Sequence, residues 1–230
     1  MDTRFSTPIS ELPSFLSTIS MVSDDKYSII QKLRDAERKS PSVYEPTRAL
    51  FLATLEGKIN FEKAMQQAWR IPDETEKKCA TQVLYASKDF LERQRPAHVA
   101  ALTGLVFTLP NGLPLSVSPF WIRQCDPDRI LVLHFWQTAF SEWQLSAAAA
   151  VLRHALDDHE YAASEIDFIS VPFSEALNRR RFEIYNWRTL KPLQSDELKR
   201  FWDRFISAWS EYQYKGPRAI KVRRHKTLFD

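Results

Sequence analysis

Residues 101–136 read ALTGLVFTLPNGLPLSVSPFWIRQCDPDRILVLHFW, and along them the period of the apolar residues changes from that of helices to that of strands. Runs of apolar, aromatic and β-branched residues over 101–109, 113–124 and 129–136 are typical of β-strands. The joints between these runs contain Pro-Asn-Gly and Asp-Pro-Asp, which are typical of tight turns. The stretch therefore predicts three successive antiparallel strands that form a meander.

The sequence before Pro96 has the 3.6-residue hydrophobic period of helices, except that residues 1–22 are rich in Ser, Thr and Pro and predict an irregular arm. The first helix places Tyr27, Ile30 and Leu33 on one apolar face. Capping residues, prolines and a closing glycine mark the helix ends. They predict helices at 23–40 with a Ser23 N-cap, at 45–57 ending at Gly57, at 61–70 with an Asn60 N-cap and at 73–95 with an Asp73 N-cap.

The pattern after the meander is a helix, two further strands and a closing helix. Residues 141–158 begin with a Ser141 N-cap and contain an alanine run that lets a helix approach a sheet closely. Residues 166–173 and 180–187 have the composition of strands, and residues 195–212 have one apolar face. The order βββαββα predicts the α/β (mixed α+β) class, with a mixed sheet flanked by helices.

We divide the chain into four parts on this basis. They are an irregular N-terminal arm (1–22), a helical part that packs on the core (23–98), the α/β core (99–214) and a basic C-terminal tail (215–230). A chain of 230 residues is long enough for one globular domain with a sizeable hydrophobic core.

Composition excludes several classes of function. Only four glycines occur and neither GxGxxG nor GxxxxGK[ST] is present, so binding of nucleotides by a glycine-rich loop has no support. No apolar run reaches about 18 residues, the N-terminus does not resemble a signal peptide, and the two cysteines form no disulfide framework. We therefore expect a cytoplasmic protein with no small-molecule cofactor and no membrane association.

Positive charge is concentrated near the C-terminus. The chain has 32 basic and 29 acidic residues, a net charge of +3. Six of the basic residues and no acid lie in 215–226 (KGPRAIKVRRHK), namely Lys215, Arg218, Lys221, Arg223, Arg224 and Lys226, which leaves 26 basic against 29 acidic residues elsewhere. A basic arm on an acidic body is typical of a segment that binds phosphate groups or an acidic protein surface. A terminus that is only solvated has the same composition.

A second basic cluster, Arg179, Arg180 and Arg181, precedes the last predicted strand. These residues could contact phosphates together with the tail, and Tyr185 and Trp187 could stack on bases if they are exposed. Because side chains alternate along a strand, part of this strand belongs to the core instead. Contact with an acidic protein and plain solvation are equally compatible with the three arginines.

Three segments resemble a known fold: LTGLVF from Leu102, LVLHFWQ from Leu131, and EWQL from Glu142 at the start of the alanine-rich helix. In order and length they are similar to the core of the PD-(D/E)XK nucleases, which include the RecB-like exonucleases. The resemblance covers about residues 45–190. It implies a helical N-terminal part, a three-stranded meander, a helix that begins with a Gln motif, and a further strand.

The catalytic residues that this resemblance implies are missing. Such nucleases hold divalent metals with an acid on the second strand and an acid-x-Lys motif on the third. The third-strand positions are His134 and Trp136, of which the first is a poor ligand for Mg²⁺ and the second has no charge. The second-strand acid would fall near Ser118, Pro119 or Phe120, and no Asp or Glu occurs from residue 97 to residue 125.

Two other positions match the family: Gln144 matches its helix motif, and Glu56 matches the acid of an upstream helical motif. The missing residues leave two explanations open. The segment ILVLHFW is a buried strand of another fold, or the nuclease fold is kept and apolar packing fills the former catalytic site. We also predict no metal site at His154 and His159, because their five-residue spacing misses one helical face.

Our main hypothesis is a non-catalytic accessory protein that binds nucleic acid or a nucleic-acid-processing partner. The first alternative is a protein-interaction or structural adaptor that binds no nucleic acid. The second is a divergent metal-dependent nuclease whose acids have moved to Glu56, Asp126, Asp128 or Glu142.

Overall fold

A computed structural model describes residues 12–36, 43–117, 120–136 and 138–215. The helices are α1 (Phe15–Met21), α2 (Lys26–Ala36), α3 (Glu45–Leu55), α4 (Phe61–Trp69), α5 (Glu74–Ala86), α6 (Lys88–Arg93), α7 (Glu142–Leu156) and α8 (Ser195–Lys215). The strands are β1 (Val99–Leu102), β2 (Val106–Thr108), β3 (Pro114–Ser116), β4 (Phe120–Arg123), β5 (Arg129–His134), β6 (Glu165–Ser170), β7 (Phe173–Ser174), β8 (Arg179–Arg180) and β9 (Glu183–Asn186).

The main sheet has five strands in the order β1-β4-β5-β6-β9. The β5–β6 pair is parallel and is connected through α7, whereas the other pairs are antiparallel. Because a parallel pair needs a long crossover, the 15-residue helix α7 supplies the connection that a hairpin cannot. The predicted class, a mixed sheet flanked by helices after a helical N-terminal part, is confirmed.

Helices cover both faces of this sheet. Alternate residues of β5 point to opposite faces, so that Ile130 and Val132 join a core with α1, α2, α7 and α8, whereas Leu131 and Leu133 join a core with α3 to α6. The alanine run at 147–149 is fully buried, as expected for a helix that lies close to the sheet. The predicted helical part therefore contributes to both cores: α2 packs on one face and α3 to α6 pack on the other.

The prediction of one strand over 101–109 is wrong. Gly104 has a φ of +85°, a left-handed conformation that glycine adopts without strain, and the chain leaves the main sheet there. Strand β2 pairs with β3 in a separate hairpin, and the turn between them contains Gly112 with a φ of +82°. The meander of the main sheet is therefore β1, β4 and β5, with the β2–β3 hairpin inserted after its first strand.

Each of the two later predicted strands is divided into two shorter strands in the structure. The run at 166–173 becomes β6 and β7, and the run at 180–187 becomes β8 and β9. Strands β7 and β8 form a two-stranded hairpin of their own, outside the five-stranded sheet. Pro172 lies between β6 and β7, where its missing N–H removes no hydrogen bond from the sheet.

Part of the predicted irregular arm is helical. Residues 1–11 lie outside the described residues, but α1 has Phe15 and Ile19 buried in the core. Thr18 is also fully buried, and its hydroxyl donates to the carbonyl oxygen of Pro13. Helix α1 is short, and its burial rather than its length stabilises it.

Other details of the helices differ from the prediction. The N-cap of α2 is Asp25 rather than Ser23, because the Asp25 carboxylate accepts from the backbone N–H groups of Tyr27 and Ser28. Ile30 and Leu33 are buried as predicted, whereas Tyr27 is 74% exposed. The predicted helix at 73–95 divides at a turn at Ser87 into α5 and α6. The side-chain caps predicted at Asn60, Asp73 and Ser141 are confirmed.

In the described part of the chain, no helix combines the length and apolar character that crossing a membrane requires.

Candidate functional site

The end of β5 is packed with aromatic rings. His134 is only 3% exposed and stacks on Phe140, with ring centroids 4.0 Å apart. Trp136 contacts the His134 ring edge-on at 4.9 Å. We refer to His134, Trp136 and Phe140 as the aromatic cluster. It occupies the two positions, His134 and Trp136, where the resemblance would require an acid and a lysine.

His134 is held as a neutral side chain. Burial, together with the positive charge of Arg180, lowers its pKa from the usual 6.5 to about 3. Its Nδ1 atom shares a hydrogen bond of 3.0 Å with the Ser170 hydroxyl, and its buried Nε2 atom has no partner among the described residues. A neutral, buried ring carries no charge that could hold Mg²⁺ or stabilise a phosphate in a transition state.

Arg180 lies beneath the surface rather than on it. The residue is only 6% exposed. Its Nη1 atom donates to the carbonyl oxygens of Phe135 and Val171, each at 2.7 Å. The guanidinium also lies over the Tyr44 ring, 5.7 Å from its centroid. The prediction that Arg180 contacts phosphates is therefore corrected, because its donors bind the backbone beyond the ends of β5 and β6.

The other two arginines of the predicted cluster are exposed. Arg179 lies at the start of β8, and Arg181 follows β8 and forms an ion pair with Glu183. This pair raises the pKa of Arg181 mainly through its hydrogen bond with Glu183. Arg179 thus remains available to an anionic ligand, whereas Arg181 already has an anionic partner.

Glu56 lies at the opposite end of the sheet from the aromatic cluster. Its carboxylate accepts from the backbone N–H of Val99, the first residue of β1. Val99 pairs with Arg123 of β4, and Arg123 pairs with Arg129, the first residue of β5. His134 ends β5, five residues further on, a separation of about 16 Å along the strand. Glu56 and His134 therefore do not belong to one site.

The environment of Glu56 favours its charged form. Burial opposes ionisation, but the hydrogen bonds from Lys58 and the Val99 N–H, with the positive charge of Lys58 and the neighbouring His98 ring, outweigh it and lower the pKa of Glu56. The Lys58 ammonium lies 2.8 Å from the carboxylate. Glu56 consequently acts as a partner for neighbouring cations and for the first strand of the sheet.

Gln144 connects α7 to the end of α1. Its side-chain oxygen accepts from the Ser141 N–H and completes a capping box. Its amide nitrogen donates to the carbonyl oxygens of Ile19, Ser20 and Val22, at 3.1 to 3.2 Å. These contacts use both ends of the Gln144 side chain, which therefore has a structural role at the junction of α1 and α7.

A charged row that was not predicted from the sequence lies across the start of β5, the start of β6 and the end of β9. The Arg129 guanidinium lies 2.6 Å from the buried Asp167 carboxylate, and Asn186 donates to both Asp167 and Glu165. Arg188 binds Glu165, which lowers the pKa of Glu165 mainly through this hydrogen bond. The signal in the sequence was the pair of acids two residues apart in EIDFIS, since alternate residues of a strand share a face.

The acids of this row are matched by arginine and asparagine donors. Among the residues that the structure describes, no group of three or more His, Cys, Asp or Glu side chains is placed to hold a metal ion. Of the acids considered as substitutes in a divergent nuclease, Asp128 accepts from the Cys125 N–H in the turn before β5. Glu142 begins α7, after the opposite end of β5.

A cleft of about 500 Å³ lies where α7 and α8 begin. Its charged side chains are already engaged: Arg204 pairs with Asp24 and lies over the Trp143 ring, and Glu197 accepts from the N–H of Gln194. Arg200 donates through Nε to a backbone oxygen of its own helix. The cleft therefore presents two acidic side chains, Asp24 and Glu197, and two basic ones, Arg200 and Arg204, a balance of charge that does not define a ligand.

The tail residues lie mostly outside the described part of the chain. Lys215 is the last residue of α8, and Arg218, Lys221, Arg223, Arg224 and Lys226 follow it outside the described residues. Trp187 is partly buried and contacts the guanidinium groups of Arg153 and Arg188, at 4.7 and 5.2 Å from its ring centroid. The Tyr185 hydroxyl donates to Glu183, and burial with this hydrogen bond raises its pKa to about 12. These two aromatic residues are thus engaged within the protein.

Two other aromatic residues are far more exposed. Tyr27, at the start of α2, is 74% exposed, and Tyr214, in the last turn of α8, is 91% exposed. The sequence predicted that Tyr27 faces the core and did not single out Tyr214.

Comparison with protein families, with curated proteins and with solved structures finds no match to the chain.

Proposed function

We propose that this protein is a non-catalytic accessory protein that binds nucleic acid through its basic C-terminal segment. The observation that carries the non-catalytic part is the aromatic cluster, which fills the positions where the resemblance to PD-(D/E)XK nucleases would require charged residues. The separation of Glu56 from this end of the sheet supports the same interpretation. We place the protein in the cytoplasm as part of this proposal.

Charge supports binding of nucleic acid. The described part of α8 leads directly into a segment with five more basic residues and no acid up to residue 226. Phosphates attract such a segment and release their counterions when they bind, so affinity falls steeply as salt increases. The net charge of −3 outside 215–226 makes the segment the main positive region of the sequence.

The test is binding of fluorescein-labelled single-stranded and duplex oligonucleotides, measured by anisotropy from low to moderate salt. The variant replaces Arg218, Lys221, Arg223, Arg224 and Lys226 with Gln. Each lost contact should make the slope of log K against log salt less negative by about 0.7 for a single strand or about 0.9 for a duplex. A slope near zero in the parent protein, or an equal slope in the variant, would contradict the proposal.

A matched control removes the same number of positive charges from the face of the sheet opposite α8. It replaces the exposed residues Lys63, Arg70, Lys78, Lys88 and Arg93 of the α4 to α6 region with Gln. If binding depends on the tail, this control keeps the parent slope. Equal losses in both variants would mean that net charge alone drives association.

A protein-interaction adaptor is the second candidate, and one observation favours it. Phe173 and Leu177 are exposed around the β7–β8 hairpin, and Ile184 is 45% exposed on the edge strand β9. Exposed apolar side chains beside a sheet edge suit pairing with another chain. Loss of a co-purifying protein after Ile184→Lys, with no oligonucleotide binding by the parent, would favour the adaptor.

A divergent metal nuclease is tested directly by incubating labelled DNA and RNA with the protein and Mn²⁺. We expect no cleavage above that of the buffer. Cleavage that disappears in both Glu56→Ala and Glu142→Ala preparations would replace the proposed function with catalysis by relocated acids.

A further inference from the structure

The outer face of the β2–β3 hairpin is exposed and carries no charge. The sequence has no Asp, Glu, Lys or Arg from residue 99 to residue 122. Phe107 and Leu115 are buried on the inner face of the hairpin, whereas Val106 is 54% exposed and Thr108 is exposed beside it on the outer face. Natural proteins commonly place charged side chains on exposed strands, where they discourage pairing with another chain. The hairpin lacks this protection.

The hydrogen bonds of the hairpin leave one edge of β2 open. On either side of β2, Leu105 accepts a hydrogen bond and Leu109 donates one across the hairpin, each at 2.9 Å. Backbone groups alternate in direction along an antiparallel strand, so Phe107 also faces β3, whereas the N–H and C=O groups of Val106 and Thr108 point away from it. Within the described part of the chain, no strand pairs with β2 on that side.

Other strand edges are protected in ways that β2 is not. Pro114 begins β3 and has no N–H to offer at the outer edge of that strand. In the edge strand β1, the Val99 N–H donates to the Glu56 carboxylate. The edge strand β9 carries Glu183, which forms an ion pair with Arg181. Strand β2 has none of these features, so its edge is open to a further strand.

A second copy of this chain fits the open edge of β2. Two identical copies related by a two-fold axis meet through the same surface on each. An antiparallel pair centred on Phe107 places Val106 opposite Thr108 of the partner subunit, and Thr108 opposite Val106 of the partner subunit. This register uses all four outward-pointing groups of each copy in hydrogen bonds. The side chains that meet are uncharged and β-branched, which suits a pleated sheet and brings no like charges together.

We propose that two copies of this protein associate by antiparallel pairing of their β2 strands, which joins the two hairpins into one four-stranded sheet. The open edge is short, because the chain turns at Gly104 and Pro110 has no N–H, so the dimer is weak and depends on protein concentration. Because Pro114 offers no N–H at the other edge of the hairpin, the assembly stops at two copies. The contact holds no charged residue, so salt does not weaken it, in contrast to binding of phosphates.

The test measures the molecular mass of the full-length protein by sedimentation equilibrium from about 5 to about 500 μM, a range that detects weak dimers. The mass should rise from 26.9 kDa towards twice that value, to the same extent at low and at moderate salt. Val106→Pro removes an N–H that β3 does not use, and it should weaken the association at least about 10-fold. Val106→Thr keeps the backbone groups and a branched side chain, and it should associate like the parent.

Charged variants test the register. A double variant with Val106→Glu and Thr108→Glu, and another with Val106→Lys and Thr108→Lys, each place like charges opposite one another, so each alone should stay a monomer. Mixed in equal amounts, the two should form a heterodimer, because every glutamate then lies opposite a lysine.

The matched control is Ile184→Glu. Ile184 is 45% exposed on the edge strand β9, so this change adds a charge to another strand edge at a residue of similar exposure. It should leave the association at the parent value. Far-UV circular dichroism and the thermal midpoint confirm that each variant is folded.

The outcomes separate this inference from the proposed function. A parent protein that is monomeric throughout the range overturns the inference, and so does a dimer that persists in Val106→Pro, dissociates in Ile184→Glu or grows beyond two copies. Double variants that stay monomeric when mixed overturn the register. Each of these results leaves nucleic-acid binding by the basic segment untouched, whereas a dimer that binds no oligonucleotide contradicts the proposed function alone.

Discussion

The Nδ1 atom of His134 lies 3.0 Å from the Oγ atom of Ser170, and this hydrogen bond joins the last residues of the two parallel strands. Both residues are 3% exposed. Arg180 binds the chain just beyond the same two strands, at the carbonyl oxygens of Phe135 and Val171. This end of the sheet is therefore closed by aromatic packing and hydrogen bonds to the backbone.

The His134 ring predicts a dependence of stability on pH. Its folded pKa of about 3 lies below the unfolded value of 6.5, so the unfolded chain binds the extra proton between these values and the free energy of unfolding falls as pH falls. From pH 7 to pH 5 this histidine should cost about 2 kcal/mol of stability. Urea unfolding at both pH values measures it.

Two variants isolate the contribution of the histidine to that pH dependence. His134→Phe removes the titrating group but keeps a ring beside Phe140, so its loss of stability between pH 7 and pH 5 should be smaller by this amount. Ser170→Ala removes the hydrogen-bond partner but keeps the histidine, and it should lower stability while keeping the dependence on pH. An equal loss in the parent and in His134→Phe would contradict the prediction.

Arg180 and Arg179 are adjacent in sequence but should differ sharply in their effect on stability. Arg180→Met leaves buried carbonyl oxygens of Phe135 and Val171 without their donor, and we expect a loss of about 3 kcal/mol. Arg179→Met changes an exposed side chain and should cost less than about 0.5 kcal/mol. Equilibrium denaturation compares the two, and equal effects would mean that the buried contacts of Arg180 do not stabilise the fold.

Gln144 should stabilise the protein through hydrogen bonds of its amide nitrogen as well as of its amide oxygen. Gln144→Ala loses the capping box and the donors to the end of α1, which should destabilise the protein by about 2 to 3 kcal/mol. Gln144→Glu keeps the acceptor for Ser141 but places a carboxylate against the carbonyl oxygens of α1, so it should not restore stability at pH 7. Gln66→Ala, on an exposed surface of α4, is the control and should be neutral.

The Arg129–Asp167 pair should respond asymmetrically to removal of either partner. The Arg129 side chain is 37% exposed and can be hydrated when it loses its partner, whereas the Asp167 side chain is 5% exposed. Arg129→Met should therefore cost about 3 kcal/mol, and Asp167→Asn about 1 kcal/mol, because only the first leaves a buried charge without its cation. Chemical denaturation measures the loss of unfolding free energy in each variant. A larger loss in Asp167→Asn than in Arg129→Met would contradict this explanation.

Local sequence patterns predicted most of the helices and strands but not the points at which several of them are interrupted. Asn60, Asp73 and Ser141 cap their helices as predicted, since an N-cap depends on residues within one turn. The run at 101–109 was predicted as one strand, because its composition does not reveal that Gly104 turns the chain out of the sheet. The same limitation applies to α1, whose Ile19 carbonyl oxygen accepts from Gln144, more than a hundred residues away in sequence.

The candidate sites could be predicted only in part. The lack of acids between residues 97 and 125 and the concentration of basic residues at 215–226 are properties of the sequence and need no structure. Arg179, Arg180 and Arg181 have similar sequence surroundings, yet one of them is buried and binds backbone oxygens. Exposure depends on which elements cover a side chain, and that information is spread over the whole chain.

By itself, the sequence determined the class of the fold, the caps of several helices, the missing acids on the predicted second and third strands, and the basic C-terminal segment. Three features became visible only in the folded chain: Glu56 and His134 lie at opposite ends of the sheet, Gln144 binds the end of α1, and Tyr27 and Tyr214 are exposed. Hydrophobic periodicity and capping depend on neighbours within a few residues, whereas burial and side-chain partners depend on contacts between distant segments.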